Sequence, residues 1–226
     1  MGTQLTPTDH EVAGSPFSFD GRLLPDLAAL HARVQQMRSQ GRLTKDVLER
    51  IRKFFRIKHI YNSNAIEGNA LTVGETRVVV EDGLTLTGKS LKDQAEARSL
   101  SHALDFLEDL ATATDRPIAE ADIRQIHALV LKGIQDAEAG RYRTVAVEIS
   151  GSAFKPTPPE SVAAAMEVYG QWLSQSAAQG IPDDPIITAA AAHAWLVQIH
   201  PFIDGNGRVS RLVMNLLLMR AGYPIA

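Results

Sequence analysis

The chain has 226 residues, 45% of them hydrophobic, a formal net charge of −3 and no cysteine. That is enough apolar material to bury one sizeable core, and it excludes disulfides and thiolate metal sites. No apolar run reaches the ~18 residues of a membrane span, and the polar first twenty-one residues lack a signal-peptide core. The slightly acidic balance, with no basic cluster, argues against nucleic-acid binding through this segment. A cytoplasmic protein with no membrane contact is the expectation.

Residues 1–20 read as a flexible tail. From Leu23 the stretch LLPDLAALHARVQQMRSQ has apolar positions at helical spacing and predicts a helix ending near Gly41. Leu43 to about Ile66 predicts a second helix, carrying Val47, Ile51, Phe54, Phe55, Ile57 and Ile60. Thr72 with Glu75 three residues later is a capping-box signal for a short helix to about Glu81. Ser90 can cap a long helix through SLKDQAEARSLSHALDFLEDLA. Pro117 breaks the pattern, and a helix follows over roughly Glu120 to Lys132. Pro158 and Pro159 open another to about Ala178, and Pro185 opens ITAAAAHAWLVQIH. His59, His102, His127 and His193 fall on helical faces and read as structural, with His127 hydrogen-bonded in the core. The fold class is all-α.

Arg141 to Pro156, RYRTVAVEISGSAFKP, departs from that habit. Thr144, Val145, Val147 and Ile149 form a β-favouring run, and Gly151 marks a turn, so a small hairpin is expected. A hairpin edge can pair with an extended peptide.

Two motifs carry the chemistry. In SNAIEGN, Ser63 and Glu67 are four apart and share a helix face. Gly68 marks the helix end, and a glutamate in the last turn meets the negative end of the dipole, which invites a cationic partner. In HPFIDGNGRVSR, His200 to Arg211, glycine-rich backbone leads into the apolar helical run VMNLLLMR. Unpaired N–H groups at such a helix start form an anion site. Asp204 can hold a hard divalent cation that also bridges phosphate oxygens. Gly205 and Gly207 let the backbone approach a phosphate, and the Asn206 amide can donate to a phosphoryl oxygen. Arg208 and Arg211 can grip successive phosphates. His200, largely neutral at physiological pH, is the natural general base. Phe202 is expected to anchor the loop in the core.

HPFIDGNGRVSR resembles the Fic-family signature HxFx(D/E)GNGRxxR at every specified position, and the likeness extends over roughly residues 50–220. SNAIEGN is similar to the inhibitory motif (S/T)xxxE(G/N) of Fic proteins that carry their own inhibitory helix. The resemblance implies a compact Fic-type helical bundle with a small β-hairpin flap near the site. It divides the chain into the tail, N-terminal helices over 21–82 that include the inhibitory helix, and a Fic core over 83–226, with the C-terminus read as truncated. It implies an adenylyltransferase that moves AMP from ATP to a Tyr, Ser or Thr hydroxyl of a protein target, itself included. His200 would be the base, and Asp204 the ligand of Mg2+, which Mn2+ can replace. Gly205, Asn206 and Gly207 would surround the α-phosphate, and Arg208 and Arg211 would bind the β- and γ-phosphates. Glu67, with Ser63, would compete with the γ-phosphate for Arg211. Thr144 and Val145 of the flap would align the target. Two alternatives stay open: removal of AMP by a Glu67-oriented water, and a nucleotide-sensing regulator with little catalysis. Oligomeric state is open too, homo-oligomers included.

Overall fold

The computed structural model describes residues 9–149, 151–178 and 184–226. Among them are eight α-helices: α1 (Leu24–Ser39), α2 (Lys45–Ile66), α3 (Val73–Glu81), α4 (Leu91–Thr112), α5 (Glu120–Leu131), α6 (Val162–Ala178), α7 (Pro185–Ile199) and α8 (Asn206–Arg220). The caps read at Thr72 and Ser90 form, and Thr44 and Asp184 add two more. Thr44 accepts from the Val47 N–H, and Ser90 from that of Asp93. Thr72 and Glu75 close a full capping box, with bonds of 3.2 and 2.8 Å. Asp184 caps α7 in front of Pro185. No described helix is long and apolar enough to cross a membrane.

The long helix α4 is the spine. Its apolar residues recur at i, i+3/4 and i+7, so Leu100, Leu104 and Leu107 line one stripe and are completely buried. Around α4 pack α2, α3, α5 and α8, while α7 and α8 make the most extensive helix pair of the fold. Helix α6 is tied to α7 by the buried Tyr169 hydroxyl, which donates to Ala192 O at 2.9 Å. Helices α2 and α3 contribute Ile60 and Val79 to the same core as α4. Helix α1 differs, since none of its residues is buried. It is held by polar contacts: Arg38 to Gly222 O at 2.8 Å, and His31 between Asp184 and the Tyr223 hydroxyl.

Two expectations are corrected. Residues 9–20, read as part of a flexible tail, form a two-stranded antiparallel sheet of β1 (Asp9–Glu11) and β2 (Ser18–Asp20), with His10 opposite Phe19. Val12 is buried, the Trp172 indole donates to Ala13 O at 2.9 Å, and Phe17 meets Trp195 edge-on. The tail reading failed because the partners of Ala13 and Phe17, Trp172 and Trp195, lie far along the chain. The expected hairpin over Arg141–Pro156 is instead an extended segment with no strand ladder among its described residues. Part of its backbone is held by bonds to and from Arg143, described below.

The chain's two tryptophans, Trp172 and Trp195, both border the N-terminal hairpin. Deleting residues 1–20 is therefore expected to shift tryptophan emission to the red and lower the melting temperature. Unchanged emission would show that the hairpin does not cover them in solution.

Candidate active site

The site is built on the turn joining α7 to α8. Helix α7 ends on His200, the one non-glycine residue with positive φ (51°) among the described residues. A left-handed L-residue costs roughly 1–2 kcal/mol, so its surroundings must hold it there. Gly205 ends the turn with φ 78° as the N-cap of α8. The left-handed φ is what favours glycine at that position, which packs against the His127 ring.

Within the turn, Asn206 accepts from Phe202 N–H at 2.9 Å and donates to Phe202 O at 2.8 Å. Asn206 is buried, and in this structure its side chain closes the loop. What it leaves for an anion is main chain. The start of α8 has no side-chain cap, so the N–H groups of its first turn remain available. Phe202 is fully buried, as expected, and stacks face to face on His127 with centroids 3.6 Å apart. His127 Nδ1 accepts from Gly140 N–H at 2.9 Å, which leaves Nε2–H to donate to Asp204 O at 3.1 Å. Burial pushes its pKa down to about 4, so it stays neutral.

His200 Nδ1 lies 3.3 Å from Val197 O. That contact places the ring proton on Nδ1 and leaves the Nε2 lone pair free. Burial first, and the Arg143 charge as a smaller cause, hold the imidazole below its ordinary pKa. A neutral imidazole with a free lone pair can accept a proton.

Asp204 is held by a 2.6 Å bond from Gly205 N–H to Oδ1, while Oδ2 faces Gln135 Nε2 at 3.5 Å. Its side chain is 38% exposed, and no group of three or more His, Asp or Glu side chains among the described residues could hold a metal alone. One accessible carboxylate beside an anion nest fits a Mg2+-like ion that takes its other ligands from phosphate and water.

The two arginines sit differently. Arg208 is 98% buried, 3.5 Å from Asp204 and 3.4 Å from Glu96 of α4, while its Nε and Nη1 have no hydrogen-bond partner. Glu96 also accepts from Asn69 Nδ2 at 2.9 Å. Arg211 is gripped from α2. Its Nε donates to Ser63 Oγ at 2.8 Å, and Nη2 donates to Ser63 O at 2.9 Å and Glu67 Oε1 at 2.7 Å. The Glu67 carboxylate lies over Gly207, where a Cβ would come within 2.5 Å of Oε1.

So His200, Asp204, Gly205, Gly207, Arg208, Arg211, Ser63 and Glu67 converge on one site. Thr144 and Val145 are exposed in the extended segment beside it. Sequence reading missed Arg143, Glu96 and Gln135. Arg143 is buried and donates to His200 O (2.7 Å), Val145 O (2.9 Å), Ile199 O (3.4 Å) and Thr157 O. A polar residue inside a β-favouring run was the available signal, but its partners are far along the chain. Of the structural histidines, His59 is buried against Ala226 O, His193 is half-buried, and His102 is exposed.

An all-helical domain whose anion-binding turn lies between His200 and two arginines defines a narrow class. The chain belongs to the Fic/DOC family, whose sequence model matches residues 117–218. It is 41% identical over 167 residues to a protein adenylyltransferase Fic of Nematostella vectensis, covering 74% of this chain and 38% of that protein. A Fic domain containing signaling protein from Bacteroides thetaiotaomicron superposes with a TM-score of 0.79 at 32% identity, covering 88% of this chain and 74% of that one. Fic-1 (residues 134–508) from C. elegans superposes with a TM-score of 0.75 at 34% identity, covering 91% and 62%. The chain thus spans well under half of the Nematostella protein's length.

Replacing Asn206 by Ala removes both loop-closing bonds and leaves the Phe202 peptide buried without partners, at about 1–3 kcal/mol. Denaturant unfolding should show a midpoint lowered accordingly. A wild-type midpoint would mean that the loop does not depend on this amide.

Proposed function

We propose that this chain transfers AMP from ATP to a hydroxyl group of a protein and is held in check by its own Glu67. The observation that carries the reading is the double hold on Arg211 by Ser63 and Glu67, directly over Gly207 of a helix start that is otherwise open to an anion.

When Glu67 moves away, the open N–H groups of α8 receive the α- and β-phosphates. Arg208, with Nε and Nη1 unpartnered, and the freed Arg211 take the β- and γ-phosphates. A Mg2+ ion on Asp204 would neutralise phosphate charge. His200 Nε2 accepts the proton of the target hydroxyl as its oxygen bonds to the α-phosphorus. The bond from that phosphorus to the bridging oxygen breaks in line, and pyrophosphate leaves. Most of the acceleration comes from positioning and charge neutralisation. The extended segment at Thr144 and Val145 receives the target chain. Its exposed backbone, rather than a preformed ladder, supports that role.

In the resting state Glu67 and the γ-phosphate compete for one guanidinium, so ATP binds weakly or unproductively. Glu67→Gly is expected to raise incorporation of label from α-labelled ATP into protein, with none from γ-labelled ATP. Unchanged labelling would remove the inhibitory role, and label from the γ position would indicate phosphoryl transfer instead. Release of AMP from a pre-modified target by the wild type would favour the reverse reaction, with Glu67 orienting water. His200→Ala in the Glu67→Gly background should abolish transfer while nucleotide binding persists.

The pH dependence follows from the sign of the His200 shift. Its pKa is lowered, so the neutral, proton-accepting form persists below the ordinary value of ~6.5. The Glu67→Gly variant should keep full kcat through neutral pH and lose it on an acid limb centred below ~6.5. An acid limb centred above that value would contradict the assignment of His200 as the base.

A further inference from the structure

We propose that Arg143 is a positioning residue that fixes the His200 backbone and the acceptor-side segment to each other. This inference rests on the AMP-transfer reading for its kinetic consequence, and on geometry alone for the clamp itself.

Arg143 is the largest polar side chain inserted between the extended segment and the end of α7, and it is only 3% exposed. A buried guanidinium needs acceptors for its five N–H groups, and all of those it finds here are backbone carbonyls. Two, Ile199 O and His200 O, belong to the last residues of α7, where cations are favoured by the helix dipole. The other two, Val145 O and Thr157 O, belong to the two ends of the extended segment. The Arg143 main chain adds a fifth link, donating its own N–H to Pro201 O at 2.9 Å.

The consequence is specific. His200 keeps a left-handed φ without being glycine, and its carbonyl is the acceptor of the 2.7 Å bond from Arg143 Nε. The same planar group sets the distance from that carbonyl to the chain at Val145. An acceptor laid along residues 144–157 is thereby indexed to the imidazole without contacting Arg143. No other described side chain makes hydrogen bonds to both segments. Lysine cannot replace it, because a single ammonium cannot span acceptors that a rigid fork reaches together.

The test compares Arg143→Ala and Arg143→Lys, each in the Glu67→Gly background, with Glu67→Gly alone. A misplacement of the base by about 1 Å predicts a fall in kcat for AMP transfer of about 100-fold. KM for ATP and the stoichiometry of nucleotide binding should be unchanged, since Arg143 touches neither the α8 start nor Arg208 and Arg211. Millimolar guanidinium should restore kcat to the Ala variant, and Lys should fall between Ala and the parent. Amide hydrogen exchange should quicken in 199–205 and in 141–157 together, with protection in α4 retained. Parent-level kcat in both variants would overturn the proposal. So would parallel losses of kcat, binding stoichiometry and α4 protection with no guanidinium rescue. If Glu67→Gly itself transfers no AMP, the AMP-transfer reading fails, and the exchange measurement still decides the clamp. Unchanged exchange in either segment would then refute it.

Discussion

The short turn between α7 and α8 is the constraint on which the rest of this structure depends. Two helices that pack closely must be joined by six residues, 200–205, and both ends of that connection take left-handed backbone. One end is glycine and costs little; the other is histidine and does not. The neighbourhood can be understood as the means of holding that turn. Asn206 closes it from within, and the His127 ring supports Phe202 and the Asp204 carbonyl from α5. Arg143 fastens its first residue to the extended segment. The open helix start, the free Nε2 of His200 and the accessible Asp204 oxygen are what remains unsatisfied once the turn is secured.

That division between committed and uncommitted groups gives the site its chemistry. A buried charge is tolerated only when compensated. Arg208 is buried between two carboxylates that lie beyond ideal hydrogen-bond distance, so it is electrostatically balanced yet has donors to offer. Arg211 is different, because a hydroxyl, a carbonyl and a carboxylate from Ser63 and Glu67 engage its Nε and Nη2. The α2 end thus meets both arginines, Arg211 directly through Ser63 and Glu67, and Arg208 through Asn69 and Glu96. An incoming triphosphate would find one cation free and the other taken. The Glu67–Arg211 pair is partly exposed, with side chains 33% and 17% accessible. Such a pair is worth little in isolation.

Much of the site was legible because its elements are local. The caps at Thr72 and Ser90 need only a short-range backbone bond, and the periodicity of α4 needs only its own sequence. The contiguous signature placed His200, Asp204, the glycines and both arginines together. A carboxylate at a helix C-terminus is a misfit that calls for a cation, but which cation it meets was implied only by the family resemblance. An amide beside a glycine turn, such as that of Asn206, can bond a ligand or its own loop, and the residue types are the same in either case. The β-favouring run at 144–149 likewise showed extended backbone but not the absence of a partner strand.

By itself the sequence determined the helical fold class, the helix boundaries to within a few residues and the caps at Thr72 and Ser90. These follow from interactions that close within a turn or two of chain. Tertiary structure alone decided that residues 9–20 pack on Trp172 and that α2 and α3 share the core of α4. It also decided that Glu96, His127 and Arg143 support the site. Each of those depends on groups brought together from distant parts of the chain, where the partner's identity leaves no periodic or capping signal to read.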